Sequence, residues 1–420
     1  MHSGQTPFQT RHLGLRADTD PGSHRHHRKP NGMDRWLASQ LARQIDPGRV
    51  SLALWDEPEK VDAAQPARLR IGDPAALWLL VANPGLQFGD LYSTGRIQVQ
   101  GDLMAVVEQG YRNIGRDYAA TRLGRFVSRL PAPDLVDSRR NIHHHYDLGN
   151  AFYRLWLDRE ALQYTCAYYA DPSMTLEQAQ QAKMHHVCRK LRLQSGDRVV
   201  EAGSGWGGLA LFMARHYKAR VRSFNISREQ LIYARDWAKR EGLERQVEFV
   251  EDDFRNIDGK YDAFVSIGML EHVGPANYRE MGRLMSRVLT REGRGLVHSI
   301  GRDASRPLNA WINRRIFPGA YPPTLRQMMD LFEPNSLSVL DVENIRLHYA
   351  KTLRHWLERY EQNIDQVHDL FDDNFARAWR LYLTGSIAGF EHGSLQLFQV
   401  LFARSGVNEI PWTRADIYRN

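Results

Sequence analysis

Val199-Val200-Glu201-Ala202-Gly203-Ser204-Gly205-Trp206-Gly207-Gly208 is the stretch that decides the fold. A short apolar run ends in a turn dense in glycine, and residues 209–216 then pattern as a helix. Glycines at such a turn let the chain reverse sharply and let a ligand approach the main chain closely. The amides that open the following helix carry a partial positive field suited to a carboxylate. The turn therefore reads as a nucleotide-type pocket of the kind that NAD, FAD and S-adenosylmethionine all use.

Outward from this turn, apolar runs at 198–201, 219–224, 247–250, 261–267 and 294–300 alternate with helical patterns, including 228–241 and 276–289. That alternation predicts an α/β, Rossmann-like, doubly wound parallel sheet with its ligand at the carboxyl ends of the strands. Gly203, Gly205 and Gly208 fit the dinucleotide spacing, so spacing alone does not exclude NAD. The second strand, however, ends in Asn225-Ile226-Ser227, with no carboxylate for ribose hydroxyls, and Trp206 is bulky for a pyrophosphate loop. A phosphate-free ligand with an amino-acid end fits better. Glu201 and the loop amides suit its ammonium and carboxylate, and the run Glu251-Asp252-Asp253 suits an adenine amino group. This is S-adenosylmethionine chemistry.

The 420 residues are enough for one large or two modest domains. No apolar run is long enough to span a bilayer, and the first residues lack a signal peptide's apolar region, which points to the cytosol. Two cysteines, Cys166 and Cys188, build no disulfide framework and fit a reducing compartment. The net charge of +7 suits an anionic partner, either nucleic acid or lipid headgroups.

Residues 1–32 are rich in Gly, Pro, Ser and charge and read as a disordered extension, and Met33 opens the first patterned stretch. Residues 33–125 read as a small α+β domain, with strands at 51–55, 67–71 and 96–99 and helices at 75–83 and 103–111. Its Trp36, Trp55, Trp78 and Tyr92 are expected in the core. Residues 126–140 form a basic linker, in a stretch carrying Arg122, Arg125, Arg129, Arg139 and Arg140. The catalytic domain is placed at 141–405, its last part mostly helical with runs at 324–333, 351–371 and 373–401, and a tail at 406–420. Arg314-Arg315 beside Ile316-Phe317 offers either a headgroup contact or a plain basic turn.

Strand 261–267 leads into Glu271-His272, where a substrate would meet the cofactor, and His298 ends the neighbouring strand. A surface loop pair and a satisfied core histidine are the blander readings of these positions. His143, His144 and His145 are adjacent rather than spaced as zinc ligands, so no metal site is expected. The run Tyr164-Thr165-Cys166-Ala167-Tyr168 could cap the cofactor pocket.

Several motifs taken in order give this chain a family resemblance. Tyr146-Asp147-Leu148-Gly149-Asn150, Tyr164-Thr165-Cys166-Ala167-Tyr168, the segment 178–183 and Gly203-Ser204-Gly205-Trp206-Gly207 resemble the cyclopropane-fatty-acid synthase family. So do Glu271-His272-Val273-Gly274, His298-Ser299-Ile300-Gly301 and Ile316-Phe317-Pro318-Gly319. The match runs from about 140 to 405, and the 33–125 module resembles, more loosely, the lipid-binding domain of the phospholipid-acting members.

The resemblance implies methylene transfer from S-adenosylmethionine to a cis double bond of an acyl chain in a membrane phospholipid. Methyl transfer leaves a carbocation, and loss of a proton closes a cyclopropane ring. Bound bicarbonate is the implied base, in a cage matching Cys166, Glu271, His298 and Tyr349 with the Ile300 backbone. An ionised Glu271 would repel that anion, so Glu271 accepts the bicarbonate hydroxyl or shares its proton. Implied cofactor positions are Tyr164, Thr165, Glu201, Gly203, Gly205, Gly207, Asn225, Gln230, Asp252 and Asp253. Ser386 stands where many members carry a cysteine once counted as catalytic, and a serine without an adjacent base is a weak nucleophile. Thr165 and Ser204 depart from the family's frequent Ser and Cys. The implied setting is peripheral, at the cytoplasmic face of an anionic membrane, with homodimerisation an open partner and no nucleic acid. The rivals are an acyl C-methyltransferase that leaves the ring open, a non-catalytic lipid-binding protein and a nucleic-acid methyltransferase.

Overall fold

The computed structural model describes residues 13, 28–43, 45–58, 67–117 and 148–418, with side chains in the 103–117 helix described to 112. The Arg122–Arg140 basic positions and His143, His144, His145, Tyr146 and Asp147 lie outside the described residues, as do most of 1–32. The chain divides into two compact units. One gathers residues up to 130 with 306–318 and 356–392, the other 131–305 with 319–355 and 393–420.

In the first unit, β1 (Val50–Ala53) pairs in parallel with β2 (Ala67–Ile71), and β2 pairs antiparallel with β3 (Ile97–Gly101). Asn31 starts the helix Gly32–Ala42 with a capping box, its Oδ1 accepting from the Asp34 amide at 2.9 Å. Asp73 caps Pro74–Ala82, its Oδ1 accepting from the Ala76 amide at 2.9 Å. Leu37, Val50, Leu69, Ile71, Leu77 and Ile97 fill the core. Tyr92 is buried as expected, but Trp36 and Trp78 are 56% and 49% exposed, and Trp55 is half-buried. Leu37 and Leu77 take the inward positions. A helix turns about 100° per residue, so the tryptophans preceding and following them face outward.

The helix Asp373–Glu391 also belongs to this unit, packing on Pro84–Ser93 and Leu103–Asp117. Trp311 lies over Gly89, where a Cβ would come within 2.3 Å of the indole. The compact units thus differ from the sequence boundaries, because 306–318 and 356–392 complete the N-terminal core. Arg315 donates to both Asp90 oxygens at 2.9 and 2.8 Å, so of the two arginines read as a headgroup contact or a plain basic turn, this one is already paired, while Arg314 is exposed.

The second unit holds a seven-stranded sheet. Its parallel part is β4 (Arg198–Ala202), β5 (Arg220–Asn225), β6 (Val247–Glu251), β7 (Tyr261–Ile267) and β8 (Leu289–Arg302). The order β6-β5-β4-β7-β8-β10-β9 is completed by β9 (Leu337–Asn344) and β10 (Leu395–Arg404), both antiparallel to their neighbours. The expected sheet is therefore extended by an antiparallel edge, and 395–401 is strand where the sequence reading placed helix. Leu397, Phe398, Val400, Leu401 and Phe402 are apolar positions that include both periods, and pairing with β8 and β9 decides between them.

Alternate residues of the strands feed two cores. Val199, Val221 and Val265 face the layer with helices Leu176–Leu191, Gly208–Tyr217 and Arg228–Arg240. Val200, Phe224 and Phe264 face the layer with Tyr278–Val288. The chain leaves β4 for β5 on one side and later returns to β7 on the other. That switch point opens the crevice in which such sheets bind ligands.

Candidate active site

The crevice at the switch point is a cavity of about 150 Å³. Gly203, at φ +96°, and Gly207, at φ +89°, hold left-handed backbone that only glycine adopts without strain. A Cβ on Gly207 would meet Phe249 at 2.7 Å, and one on Gly208 would meet the Ala161 carbonyl at 2.1 Å. Close packing of the turn therefore rests on both. Asn225 ties the loop from below, its Nδ2 reaching Ser204 Oγ at 3.1 Å, the Gly205 carbonyl at 3.2 Å and Gln230 Oε1 at 3.0 Å.

Glu201 is buried and accepts from Ser223 Oγ at 2.5 Å. Burial lifts its carboxyl to about 7 against the pull of Ser223 and Lys183. At the end of β6, Asp252 accepts from the Asp253 amide at 2.7 Å, and Asp253 accepts from the Arg255 amide at 3.0 Å. Tyr164, Thr165, Glu201, Gly203, Gly205, Asn225, Gln230, Asp252 and Asp253 all line the cavity. Gly207 instead starts the helix behind it.

Trp206 does not obstruct the loop. Its Nε1 donates to Asn150 Oδ1 at 2.7 Å, and its ring lies 4.9 Å from Tyr153. Tyr153, Trp156 and Tyr164 continue this aromatic wall. Gly268, at φ +68°, turns the chain after β7, so that Met269 and His272 also line the cavity. Burial pushes the His272 imidazole down to about 4.

Glu271, on the short helix Leu270–Val273, points to the neighbouring strand, and its Oε1 accepts from the Ile300 amide at 2.6 Å. Glu271 Oε2 is buried with no hydrogen-bond partner. Burial raises this carboxyl to about 7 despite the Ile300 amide and the nearby Ser299 hydroxyl. His298 lies two residues before Ile300 on β8, its Nδ1 3.1 Å from Gln399 Nε2 and its Nε2 buried with no partner. Burial, reinforced by the Lys183, Lys190 and His186 charges, holds that imidazole well below its ordinary range.

Cys166 is fully buried, and burial pushes its thiol far up, so it remains a neutral thiol. The segment that carries it is fastened to the helix Arg346–Gln362. The Ala167 amide donates to Thr352 Oγ1 at 3.0 Å and the Tyr169 amide to His348 Nδ1 at 2.9 Å. Tyr349, also buried, is three residues before Thr352 on the same helix face. Glu271 is thus tied to β8 through the Ile300 amide, with His298 two residues away on that strand, and the segment after Cys166 is tied to the helix that carries Tyr349. Ser386 sits half-buried on Asp373–Glu391 and belongs to the other compact unit.

The helix Leu176–Leu191 carries residues to which the sequence reading gave no role, although Gln180 and Lys183 lie in its family-matching segment 178–183. Gln180, Lys183, His186 and Lys190 form a buried polar stripe at helical spacing. Gln180 Nε2 donates to the Thr165 carbonyl at 2.9 Å, and Lys183 donates to Thr165 Oγ1 at 3.0 Å and to Gln163 Oε1. Burial lowers Lys183 to about 8. Glu343 Oε2 accepts from His186 at 2.7 Å and Lys190 at 2.5 Å. Burial alone would raise Glu343, but these two donors hold it far below the usual carboxylate range. The available signal was four polar residues every three to four positions on a face flanked by Met184, Val187 and Leu191.

Residues 134–400 match the family described as mycolic acid cyclopropane synthetase. The chain belongs to that family. It is an S-adenosylmethionine-dependent methyltransferase with the class I Rossmann-like fold, among fatty acyl methyltransferases and cyclopropane synthases. It is 36% identical over 390 residues to a probable fatty acid methyltransferase of Pseudomonas putida, covering 88% of this chain and 96% of the relative. It is 38% identical over 265 residues to the cyclopropane-fatty-acyl-phospholipid synthase of Escherichia coli K12, covering 63% and 68%. The cyclopropane synthase MmaA2 of Mycobacterium tuberculosis superposes with a TM-score of 0.61 at 26% identity, covering 65% of this chain and 99% of that one. The mycolic acid cyclopropane synthase CmaA1 complexed with SAH and CTAB gives 0.60 at 28%, covering 63% and 97%.

Proposed function

We propose that this enzyme transfers a methylene group from S-adenosylmethionine to the cis double bond of an unsaturated acyl chain in a membrane phospholipid, forming a cyclopropane ring. One observation carries the reading: Glu271 Oε2 and His298 Nε2 are buried without partners on adjacent elements beside the methyl-donor cavity. A buried acceptor and a buried imidazole nitrogen match hydrogencarbonate, whose hydroxyl donates and whose oxygens accept. In this reading S-adenosylmethionine supplies the electrophilic methyl and hydrogencarbonate the base.

The chain's own residues orient and exclude water. Glu201 and the amides after Gly203 hold the amino-acid end of the methyl donor, and Asp252 or Asp253 its adenosine end. Tyr164 and Trp206 present aromatic faces to positive charge. Glu271, lifted to about 7, shares a proton with the anion rather than repelling it. Cys166 and Tyr349 complete the cage, with Cys166 as a neutral wall.

The membrane setting is part of the same proposal. No helix among the described residues is long and apolar enough to cross a bilayer. The net charge is +7, and Met33, Trp36, Trp78 and Leu79 stand exposed on two touching helices, Gly32–Ala42 and Pro74–Ala82. Aromatic side chains with a polar tip suit the interface of a cytoplasmic membrane leaflet. Trp36→Ala with Trp78→Ala is expected to weaken binding to anionic vesicles while leaving S-adenosylhomocysteine affinity alone. Co-sedimentation with vesicles of phosphatidylglycerol measures it, and unchanged binding removes this surface from the proposal.

A second reading, methylation without ring closure, is favoured by the name of the Pseudomonas putida relative, which matches over most of both chains. Mass spectrometry of fatty acids from expressing cells separates the two. A gain of one CH2 that resists hydrogenation supports the ring. A saturated branch, or a gain with the double bond intact, supports methylation.

A further inference from the structure

A side-chain chain runs from the buried stripe to His298. Lys190 Nζ donates to Glu343 Oε2 at 2.5 Å and to Gln399 Oε1 at 2.8 Å, and Gln399 Nε2 lies 3.1 Å from His298 Nδ1. Lys190, Gln399 and His298 are all buried. An ammonium has only donors, so the Gln399 oxygen must face Lys190 and its NH2 must face the imidazole. An NH2 group can only donate, so His298 Nδ1 must be the nitrogen that accepts. A neutral imidazole then carries its proton on Nε2. Turning the amide over would set two donors against each other in a buried site, leaving both unsatisfied.

We propose that Lys190 and Gln399 are positioning residues that fix His298 as the Nε2–H tautomer, making its free nitrogen a hydrogen-bond donor and not a proton acceptor. His298 therefore cannot be the base that removes a proton through Nε2. It offers an N–H to an anion held beside Glu271. The tautomer stands on the contacts alone, while its use toward an anion rests on the proposed function. Burial keeps the ring neutral, as the argument requires, and the Lys183, Lys190 and His186 charges around it act in the same direction.

The test is nitrogen NMR of the full chain labelled with 15N-histidine at pH 7, His298 being assigned by the signal missing in His298→Gln. The expected spectrum has Nδ1 unprotonated and Nε2 bearing the proton. Gln399→Glu, nearly isosteric, replaces the donor by a second acceptor and is expected to move the proton to Nδ1. Turnover should then fall by about tenfold or more, with S-adenosylhomocysteine affinity within about twofold of wild type. If that variant fails to fold, Gln399→Met removes the amide altogether and is expected to leave the two tautomers mixed with a smaller loss of turnover. Wild-type His298 protonated on Nδ1, or on both nitrogens, overturns the proposal. So does an inverted tautomer with unchanged turnover. If wild-type His298 has the expected tautomer but no acyl chain is modified, the proposed function fails while the tautomer assignment stands.

Discussion

The two halves of the site are held by different physics. The methyl-donor cavity depends on backbone. Gly203 and Gly207 adopt left-handed φ, Gly208 lets the Ala161 carbonyl approach, and much of the cavity lining comes from strand ends in the parallel part of one sheet. The region around His298 depends on side chains drawn from the helix Leu176–Leu191, β8, β9 and β10, joined through buried charge. A backbone-built site tolerates changes of side chain and fails when a Cβ is added. A charge-built site tolerates modest changes of shape and fails when one partner is removed.

The largest expected effect follows from that difference. Lys190→Met deprives Glu343 of its ammonium partner, leaving the His186 imidazole, and frees the Gln399 amide. Breaking a buried ion pair from one side costs about 3–5 kcal/mol, so urea unfolding should move by that amount. A loss below about 1 kcal/mol would put the stripe on the same footing as a surface pair. Next comes Glu271→Gln, for which turnover should drop by about a hundredfold or more while cofactor affinity is largely kept. Full activity in that variant would dismantle the cage assignment. Gly207→Ala is expected to cost about 1–3 kcal/mol through strain at positive φ, and to weaken S-adenosylhomocysteine binding measured by calorimetry.

A smaller effect lies in pH dependence. Glu271 is raised in the folded state from its ordinary 4.5 to about 7. The folded protein therefore binds more protons than the unfolded chain in that window. This contribution to stability is full below about pH 4.5 and is lost as pH rises through about 7. Glu201, also raised to about 7, acts with the same sign, and His272, lowered to about 4, with the opposite one. Comparing thermal midpoints of ligand-free wild type and Glu271→Gln from pH 5 to 8 isolates the Glu271 share, and the variant's curve should fall less steeply. The smallest effect is expected for Ser386→Ala, with turnover within about twofold of wild type. Loss of activity in a folded Ser386→Ala protein would give that hydroxyl a part in the chemistry.

The same difference explains what could be read from the sequence. The glycine turn and the ends of β5 and β6 are contiguous motifs, and Glu201, Asn225, Gln230 and Asp252, which they brought to notice, line one cavity. Gln399 and Lys190 were not legible. They lie 209 positions apart, and each alone reads as an ordinary polar residue. Gln399 also sits in β10, which the sequence reading took for helix. Its partner could not be found before that strand was placed beside β8. Trp36 and Trp78 misled for a local reason: composition predicts that tryptophan is buried, while the adjacent leucines already filled the core.

The buried stripe also bears on how this chain can change over generations. A surface lysine drifts to glutamine or arginine at little cost. At position 190 an apolar exchange removes a donor from Glu343 and from Gln399 at once. Changes at positions 190, 343 and 399 are therefore coupled, and Gln399 passes that coupling on to His298. Related chains should show these positions as a co-inherited set even where their surrounding core residues have been freely exchanged.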